Sequence, residues 1–322
     1  MTSCPKLDPS APIQFVINAA AGSNDAAFMR EVIESVLKAA DRRGDLHFGG
    51  PADLAPMARA SAQKALATHT AVVAVGGDGT LNTVAQAAHV VGCAMGVVPQ
   101  GTFNYFARTH GIPADPTEAV RLLLSAEPAP VQVAGINDRV FLVNASLGLY
   151  PDLLEDREAY KARFGRSRWV AFVAACATLL RAQRRLKLLI EWEGQQRELR
   201  TLTLFVGNNR LQLAQLGLVT GGESSGVSVA DGHVTAVVLK PIGTLAMLGL
   251  MLRGALGQLG EASGIERFAC QSLVVRPSRM LGRRKVKVAF DGEVGWMRSP
   301  LTIRVLPEPL WLLKAAPEAS AP

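Results

Sequence analysis

The sequence has few cysteines and few long apolar runs among its 322 residues. Its four cysteines lie far apart and form no CxxC pair, which argues against a disulfide framework and against a cysteine zinc site. The two longest strongly apolar runs, Trp169–Leu180 and Pro241–Leu252, are twelve residues long and are bracketed by basic residues. A membrane-spanning helix needs about 18 apolar residues. We therefore predict reduced thiols, as in the cytoplasm, and no transmembrane span.

Several other signatures are also missing. The first residues, MTSCPKLDPSAP, lack a charged start followed by an apolar core, so we expect residues 1–11 to be a disordered leader rather than a signal peptide. The five histidines are scattered without metal-binding spacing. The excess of 34 basic over 27 acidic residues fits an anionic surface, an anionic substrate or simple solubility. No nucleic-acid-binding fold is recognisable, so we expect no nucleic-acid partner.

The stretch Ala71–Asn82, AVVAVGGDGTLN, predicts a strand, a tight loop and a helix. Three glycines lie in this loop, namely Gly76, Gly77 and Gly79. They lack Cβ atoms, so backbone N–H groups can converge on a phosphate at the start of the helix. Asp78 either binds Mg²⁺ on a nucleotide or caps the helix of an ordinary turn.

Two other predicted strands also end in polar or glycine-bearing turns. Gln14–Asn18 leads into Asn18–Ser23, and Cys93–Val98 leads into Gly101–Asn104. The repeat of strand, loop and helix predicts a mostly parallel sheet with helices on both faces. Because ligands bind such sheets at the carboxyl ends of the strands, we expect all three turns to contribute to one nucleotide site. The first turn has neither GxxxxGK[ST] nor GxGxxG, which excludes the commonest nucleotide motifs there.

The pattern changes after Pro128-Ala129-Pro130 to many short alternating segments. This change predicts a second, mainly antiparallel β domain. Its chief helices are expected near Ser167–Gln183 and Ile242–Leu256. Asp291-Gly292-Glu293 is expected to form a turn before the final strand, Pro300–Val305.

Four motifs resemble, in order and spacing, those of the diacylglycerol kinase catalytic family. They are NAAAGS at Asn18–Ser23, GGDGTLN at Gly76–Asn82, PQGTFNYFAR at Pro99–Arg108 and FDGE at Phe290–Glu293. The family includes bacterial soluble lipid kinases and, more distantly, sphingosine and ceramide kinases. The GGDG loop is also similar to those of NAD kinases and phosphofructokinases. The resemblance implies an ATP- and Mg²⁺-dependent kinase that phosphorylates a hydroxyl of a diacylglycerol-like or sphingoid lipid.

The resemblance also implies a domain organisation. We expect an α/β nucleotide-binding domain with a mostly parallel sheet over residues 12–130. A β-rich lipid-substrate domain, similar to a β-sandwich, is expected over residues 131–299. Residues 300–322 are expected to return to the first domain.

The motifs assign candidate site residues. Those for the nucleotide are Asn18, Gly22, Ser23, Gly76, Gly77, Asp78, Gly79, Thr80, Asn82, Gly101, Thr102 and Asn104. Asp78 would organise the Mg²⁺ bound to the nucleotide. Phosphoryl transfer to an alcohol needs a carboxylate that accepts the hydroxyl proton, and the family resemblance assigns this role to Glu293, with Asp78 as the alternative base. In the purely structural alternative, Asp-Gly sets a hairpin turn and Glu293 is solvated.

Some positions leave the function open. Tyr105 replaces the aspartate that usually follows GTxN in the family. Bacterial members hold a structural Mg²⁺ beside an Asp-Asp-Gly loop, which here reads Ala230-Asp231-Gly232, so Asp231 is the remaining candidate ligand. Asn144 and Ser146 either face a cleft between the domains or serve turns. The alternatives are a soluble-metabolite kinase of the NAD-kinase type, and a lipid-binding or regulatory protein that retains the fold without turnover.

A lipid kinase without a transmembrane span must reach a substrate held in a bilayer. We therefore expect a cytoplasmic protein that associates peripherally with the inner membrane surface and binds its lipid substrate there. Basic residues within 181–187 and 279–287 would attract anionic lipid or would form an ordinary solvated surface. Association as a homodimer is an open alternative.

Overall fold

A computed structural model describes residues 3–20, 26–155, 186–215, 232–241, 264–278 and 285–315. The chain divides into two compact units, Met1–Val133 with Leu306–Pro322, and Ala134–Val305. These limits lie three and six residues beyond the predicted domain boundaries at 130 and 299. The helices predicted near Ser167–Gln183 and Ile242–Leu256 lie outside the described residues.

In the part of the first unit that the structure describes, the strands form a six-stranded sheet with the order β2-β1-β3-β4-β18-β5. The strands are β1 (Ile13–Asn18), β2 (Gly44–Gly49), β3 (Ala71–Gly76), β4 (Ala94–Pro99), β5 (Glu127–Val131) and β18 (Leu310–Lys314). The helices are α1 (Ala26–Ala39), α2 (Leu54–Ala67), α3 (Asp78–Val91), α4 (Tyr105–Thr109) and α5 (Pro116–Ser125). Every pairing is parallel except that of β18 with β5. The predicted mostly parallel α/β sheet is therefore confirmed.

Burial explains why the central strands have continuous apolar sequences. All residues of β3 and β4 are buried, as expected for strands covered on both faces. In α3, the apolar residues Leu81, Val84 and Ala88 recur at helical spacing and are buried. The helix ends at Gly92, whose φ of 82° lies in the left-handed region that glycine favours.

The end of the chain and the proline stretch differ from the sequence-based expectation. Glu127–Val131 is a strand, and it pairs with Leu310–Lys314 near the C-terminus. A strand was not expected there because proline lacks a ladder N–H. β5 lies at the edge of the sheet, where a missing N–H can face away from the partner strand. Pro300–Val305 was expected to begin the returning segment, but the second unit extends to Val305.

Residues 3–11, for which we expected disorder, contact the first unit. The Asp8 N–H donates to the His69 carbonyl at 2.6 Å, and the Arg43 guanidinium donates to the Ser10 carbonyl at 2.9 Å. The Asp8 carboxylate also accepts from the Ser10 N–H at 2.8 Å. This local turn directs the chain into β1, and Ala11 is buried beside it.

Within its described residues, the second unit has two six-stranded antiparallel sheets. The first has the order β10-β9-β14-β17-β6-β7, and the second has the order β13-β12-β11-β8-β15-β16. The strands are β6 (Ala134–Ile136), β7 (Arg139–Phe141), β8 (Asn144–Gly148), β9 (Leu186–Trp192), β10 (Gln195–Thr201), β11 (Thr203–Gly207), β12 (Val234–Leu239), β13 (Ile265–Cys270), β14 (Ser272–Pro277), β15 (Lys285–Phe290), β16 (Glu293–Arg298) and β17 (Leu301–Val305). A short helix covers Arg210–Gln215.

One apolar core joins the two sheets of the second unit. Ile190 and Leu273 from the first sheet cluster with Leu147 and Val206 from the second, and all four are buried. Two antiparallel sheets that share a core in this way form a β-sandwich. The predicted antiparallel, sandwich-like second domain is therefore confirmed as a fold.

The hairpin β15–β16 corrects the expected position of Glu293. Asp291 and Gly292 have φ values of 46° and 87°, and positive φ at both central residues is typical of a type I′ hairpin turn. Phe290 pairs with Glu293 across the hairpin. Glu293 is thus the first residue of a strand rather than part of the turn, because a two-residue loop already reverses the chain. Within the described ranges, no helix is long and apolar enough to cross a membrane.

Candidate functional site

The glycine-rich loop follows β3 directly and leads into α3. Gly77 caps the helix in an extended conformation, with φ of −83° and ψ of −176°. Its carbonyl accepts from the Leu81 N–H at 3.0 Å. Asp78 and Gly79 lie in the first turn of α3, so the N–H groups of that turn and the positive end of the helix dipole are adjacent to the loop.

A second turn packs directly against this loop. A Cβ atom placed on Gly101 would lie 3.2 Å from the Gly77 Cα and 2.6 Å from the Asn104 Oδ1. A Cβ atom on Gly76 would lie 2.5 Å from the Thr80 Oγ1. The Gln100 N–H also donates to the Gly76 carbonyl at 2.8 Å. A side chain at Gly76 would crowd Thr80, and one at Gly101 would crowd both Asn104 and the backbone of Gly77. The two turns therefore approach each other closely through the backbone of Gly77 and Gly101.

Asn104 holds the second turn closed. Its Oδ1 accepts from the Gly101 N–H at 3.0 Å, and its Nδ2 donates to the Gly101 carbonyl at 2.8 Å. The residue has φ of 47° and is buried. Asparagine tolerates this left-handed conformation better than most residues. Asn104 thus fixes the shape of the turn.

The first predicted turn joins the same cluster through Asn18. Its Nδ2 donates to the Thr80 Oγ1 at 3.1 Å, and its Oδ1 accepts from the Ala20 N–H at 3.0 Å. The structure therefore brings together parts of all three predicted turns. Asn82 is buried on α3 and Thr102 is exposed on its turn. Gly22 and Ser23 lie outside the described residues.

An aromatic pair follows the second turn. Phe103 and Tyr105 stack with ring centroids 5.7 Å apart and nearly parallel planes. Burial raises the pKa of the Tyr105 phenol, Arg108 opposes this shift, and the negative charge of Asp78 adds to it. Tyr105, which stands where the family has an aspartate, therefore lies in the electrostatic field of Asp78.

In the second unit, Asp291 organises the residues around its hairpin turn. This side chain is buried, and its Oδ2 accepts from the Leu142 N–H at 2.7 Å. Its Oδ1 accepts from the N–H groups of Val143 and Asn144 at 2.8 and 3.0 Å. The sequence indicated only a turn for Asp291, because its backbone partners lie about 150 residues away.

Glu293 begins β16 immediately after this turn. Its side chain is exposed, but nearby protein atoms remove part of its hydration. This desolvation raises the pKa of the carboxyl above its ordinary value, the positive charge of Arg139 opposes the shift, and Asp291 adds to it. Arg139 lies over the Phe290 ring, 5.9 Å from its centroid. A carboxylate with a raised pKa is a better proton acceptor than an ordinary glutamate.

Buried polar side chains lie on the sheet beside this turn. The Asn144 Nδ2 donates to the Gln212 Oε1 at 3.0 Å. On this sheet, within the described part of the chain, three further buried atoms have no hydrogen-bond partner: Asn144 Oδ1, Ser146 Oγ and Thr235 Oγ1. Gly207 of β11 lies between two of these positions in the sheet, because it pairs with Asn144 of β8 on one side and with Thr235 of β12 on the other. Sequence analysis considered Asn144 and Ser146 and missed Thr235, which lies in an ordinary strand pattern.

Metal ligands are sparse in the described residues. No three His, Cys, Asp or Glu side chains cluster there as a metal site. Asp231, the candidate for a structural Mg²⁺, lies outside the described residues. Asp78 offers one carboxylate at the start of α3, which suits a metal held mainly by nucleotide phosphates.

Comparison with known proteins finds a family match over residues 12–136. Residues 12–136 match the diacylglycerol kinase catalytic domain. The chain is 31% identical over 168 residues to "Probable lipid kinase YegS-like" of Serratia proteamaculans, covering 49% of this chain and 52% of that protein. It is 38% identical over 98 residues to the protein of the same name from Klebsiella pneumoniae, covering 29% and 33%. The matched segments thus span about half and a third of these curated relatives.

The fold has a solved counterpart. A crystal structure described as a diacylglycerol kinase from Bacillus anthracis superposes with a TM-score of 0.69, covering 96% of this chain and 98% of that chain. The sequences are 22% identical, so this likeness shows the fold alone. Residues 12–136 match the model of the diacylglycerol kinase catalytic domain, so the resemblance noted from the motifs is confirmed for this part of the chain.

Proposed function

We propose that the protein is a lipid kinase that transfers the γ-phosphoryl group of ATP to a hydroxyl of a diacylglycerol-like or sphingoid lipid. The observation that carries the proposal is the packing of the GGDG loop against the Gly101 turn at the start of α3. A loop that excludes side chains at a helix N-terminus suits a polyphosphate.

The nucleotide would be held mainly by backbone. N–H groups of the loop and of the Gly101 turn would donate to phosphate oxygens, while Asn104 and Asn18 fix the turns that present them. Asp78 would hold the Mg²⁺ that accompanies ATP, and this ion would neutralise charge on the phosphates. Gly22, Ser23, Thr80, Asn82 and Thr102 stay candidate contacts by their place in the motifs.

The acceptor chemistry requires a base. Glu293 would accept the proton of the lipid hydroxyl while the hydroxyl oxygen forms its bond to the γ-phosphorus of ATP. The bond between that phosphorus and the oxygen that bridges it to the β-phosphate would break, and ADP would leave. The raised pKa of Glu293 supports this role. Asp78 remains the alternative base, although a carboxylate that binds a cation is a weaker proton acceptor.

Polar atoms beside the Asp291 turn would recognise the polar end of the lipid. The Asn144 Oδ1 and the Ser146 Oγ are buried and lack partners among the described residues. A buried polar atom without a hydrogen bond costs about 1–3 kcal/mol, so hydroxyl or ester groups of an acceptor would supply missing bonds. The enzyme would work peripherally at the cytoplasmic face of the inner membrane, because its acceptor is a bilayer lipid.

The direct test incubates the purified protein with γ-labelled ATP, Mg²⁺ and a panel of diacylglycerols and sphingoid bases in mixed micelles, with NAD in a parallel reaction. Label on a lipid is the expected result. Label on NAD would instead identify a soluble-metabolite kinase. ATP binding without transfer to any acceptor would identify a protein that keeps the nucleotide fold without turnover. Micelles without added lipid provide the control.

A further inference from the structure

We infer that one face of strand β16 is a docking surface for anionic membranes, and this inference rests on the proposed lipid kinase activity. The surface, called here the Trp296 patch, consists of Trp296, Lys285 and Arg298. It belongs to the β15–β16 hairpin, whose second strand begins with the candidate base Glu293.

The position of β16 explains why Trp296 is accessible. β16 is an outer strand of its sheet, and alternate residues of a strand point to opposite faces. Met297 packs against the core of the sandwich, so Trp296 points the other way. Its side chain is 62% exposed, which is more than the exposed Phe28 or Leu66 of the first unit.

The charges beside Trp296 suit an anionic surface. Lys285 pairs with Arg298 across the hairpin, and both side chains are exposed. Neither forms an ion pair among the described residues, whereas Lys287, opposite Trp296, is paired with Asp152 at 2.7 Å and Glu155 at 2.6 Å. Like charges placed directly across two strands are destabilising. Anionic lipid would relieve this repulsion.

Protection of the sheet edge does not account for the tryptophan. Lysine and arginine on an outer strand discourage pairing with another strand, but an exposed tryptophan increases the apolar surface at that edge. Tryptophan beside basic residues is instead typical of protein surfaces that rest at the membrane–water interface. We therefore assign the patch to a lipid surface of negative charge.

The experiment measures sedimentation of the full-length protein with sucrose-loaded vesicles in the absence of nucleotide. The vesicles contain phosphatidylcholine alone or equal parts of phosphatidylglycerol and phosphatidylcholine. We expect binding to the anionic vesicles, and losses of about tenfold in Trp296→Ala and about tenfold or more in Arg298→Glu, since each basic residue contributes substantially near such a surface. Both side chains are exposed, and thermal melting will verify that the variants fold.

Matched changes in α2 provide the controls. Leu66→Ala removes another exposed apolar side chain, and Arg59→Glu reverses another exposed charge. Both are expected to bind within about twofold of the wild type, because they lie outside the patch. Equal losses in control and patch variants, or no loss in the patch variants, would overturn the inference.

Two further readouts separate the patch from other roles. A concentration-dependent dimer that Trp296→Ala dissolves would show that a second copy of the chain occupies this face, which would overturn membrane docking. Phosphorylation of a dissolved short-chain diacylglycerol tests the proposed activity without a membrane. Failure of that reaction both with this diacylglycerol and with a dissolved sphingoid base, together with intact vesicle binding, would reject the proposed kinase activity and keep the docking surface.

Discussion

Asp291 provides a stability prediction that can be worked from its contacts. Its carboxylate accepts three backbone N–H bonds, from Leu142, Val143 and Asn144. Asp291→Asn keeps the size of the side chain and its tolerance of the left-handed conformation, which the turn requires at φ of 46°. One oxygen remains for two of the donors, but the new amide nitrogen faces the third N–H and cannot accept from it.

The magnitude follows from the change in bond type. A hydrogen bond to a charged group contributes about 1.5–3 kcal/mol, and a neutral one about 0.5–1.5 kcal/mol. Losing one charged bond and weakening two others should lower the unfolding free energy of the second unit by about 4 kcal/mol. Asp291→Ala, which leaves three buried N–H groups without an acceptor, should cost more.

Hydrogen exchange measures this effect at the amides concerned. In Asp291→Asn, the amides of Leu142, Val143 and Asn144 should exchange about 700-fold faster, since 1.4 kcal/mol corresponds to a factor of about ten. Urea denaturation should show the matching loss of unfolding free energy. Glu293→Gln, at the exposed neighbouring position, should change stability by less than about 0.5 kcal/mol. Unchanged exchange at the three amides would refute the assignment of Asp291 as their acceptor.

Three further predictions concern the loop, the base and acid stability. Gly101→Ala should weaken ATP binding in calorimetry by about tenfold or more, because its Cβ would disturb the packed turns; unchanged affinity would contradict the phosphate-loop assignment. Arg139→Gln removes a positive charge that lowers the pKa of Glu293, so the acid limb of the kcat–pH profile should move to higher pH. A move to lower pH would contradict the electrostatic interaction between Arg139 and Glu293. Burial lowers the pKa of His110 to about 4, whereas an unfolded histidine titrates near about 6.5. Between these pH values unfolding takes up a proton, so the unfolding free energy should fall by up to about 3 kcal/mol as the pH drops through this range. His110→Phe should remove this dependence of the unfolding free energy on pH, measured by urea titration at several pH values. An unaltered dependence would exclude His110 as its source.

The local parts of the fold could be predicted from the sequence. A continuous apolar run, three glycines and helical spacing specify β3, its loop and α3 within one short stretch. By contrast, β5 pairs only with the distant strand β18, where Trp311 lies opposite Pro130. Prolines reduce strand propensity, so local patterns indicate a linker at Pro128–Pro130 until the distant partner is known.

The site shows the same division between local and distant information. The Asp-Gly pair predicts a hairpin turn, and the turn has the expected positive φ values. The buried role of Asp291 depends on amides of Leu142–Asn144, which no local pattern connects to it. Likewise, the exposed face of Trp296 depends on the register of β16 and on its place at the sheet edge.

The most direct test of the central claim compares ATP binding and turnover in Glu293→Gln. The substitution removes the proton-accepting carboxylate from the second unit and leaves the phosphate loop of the first unit unchanged. The account predicts a Kd for ATP within about twofold of the wild type and a kcat for lipid phosphorylation lower by about 100-fold or more. A variant that phosphorylates lipid at the wild-type rate would contradict the assignment of Glu293 as the base.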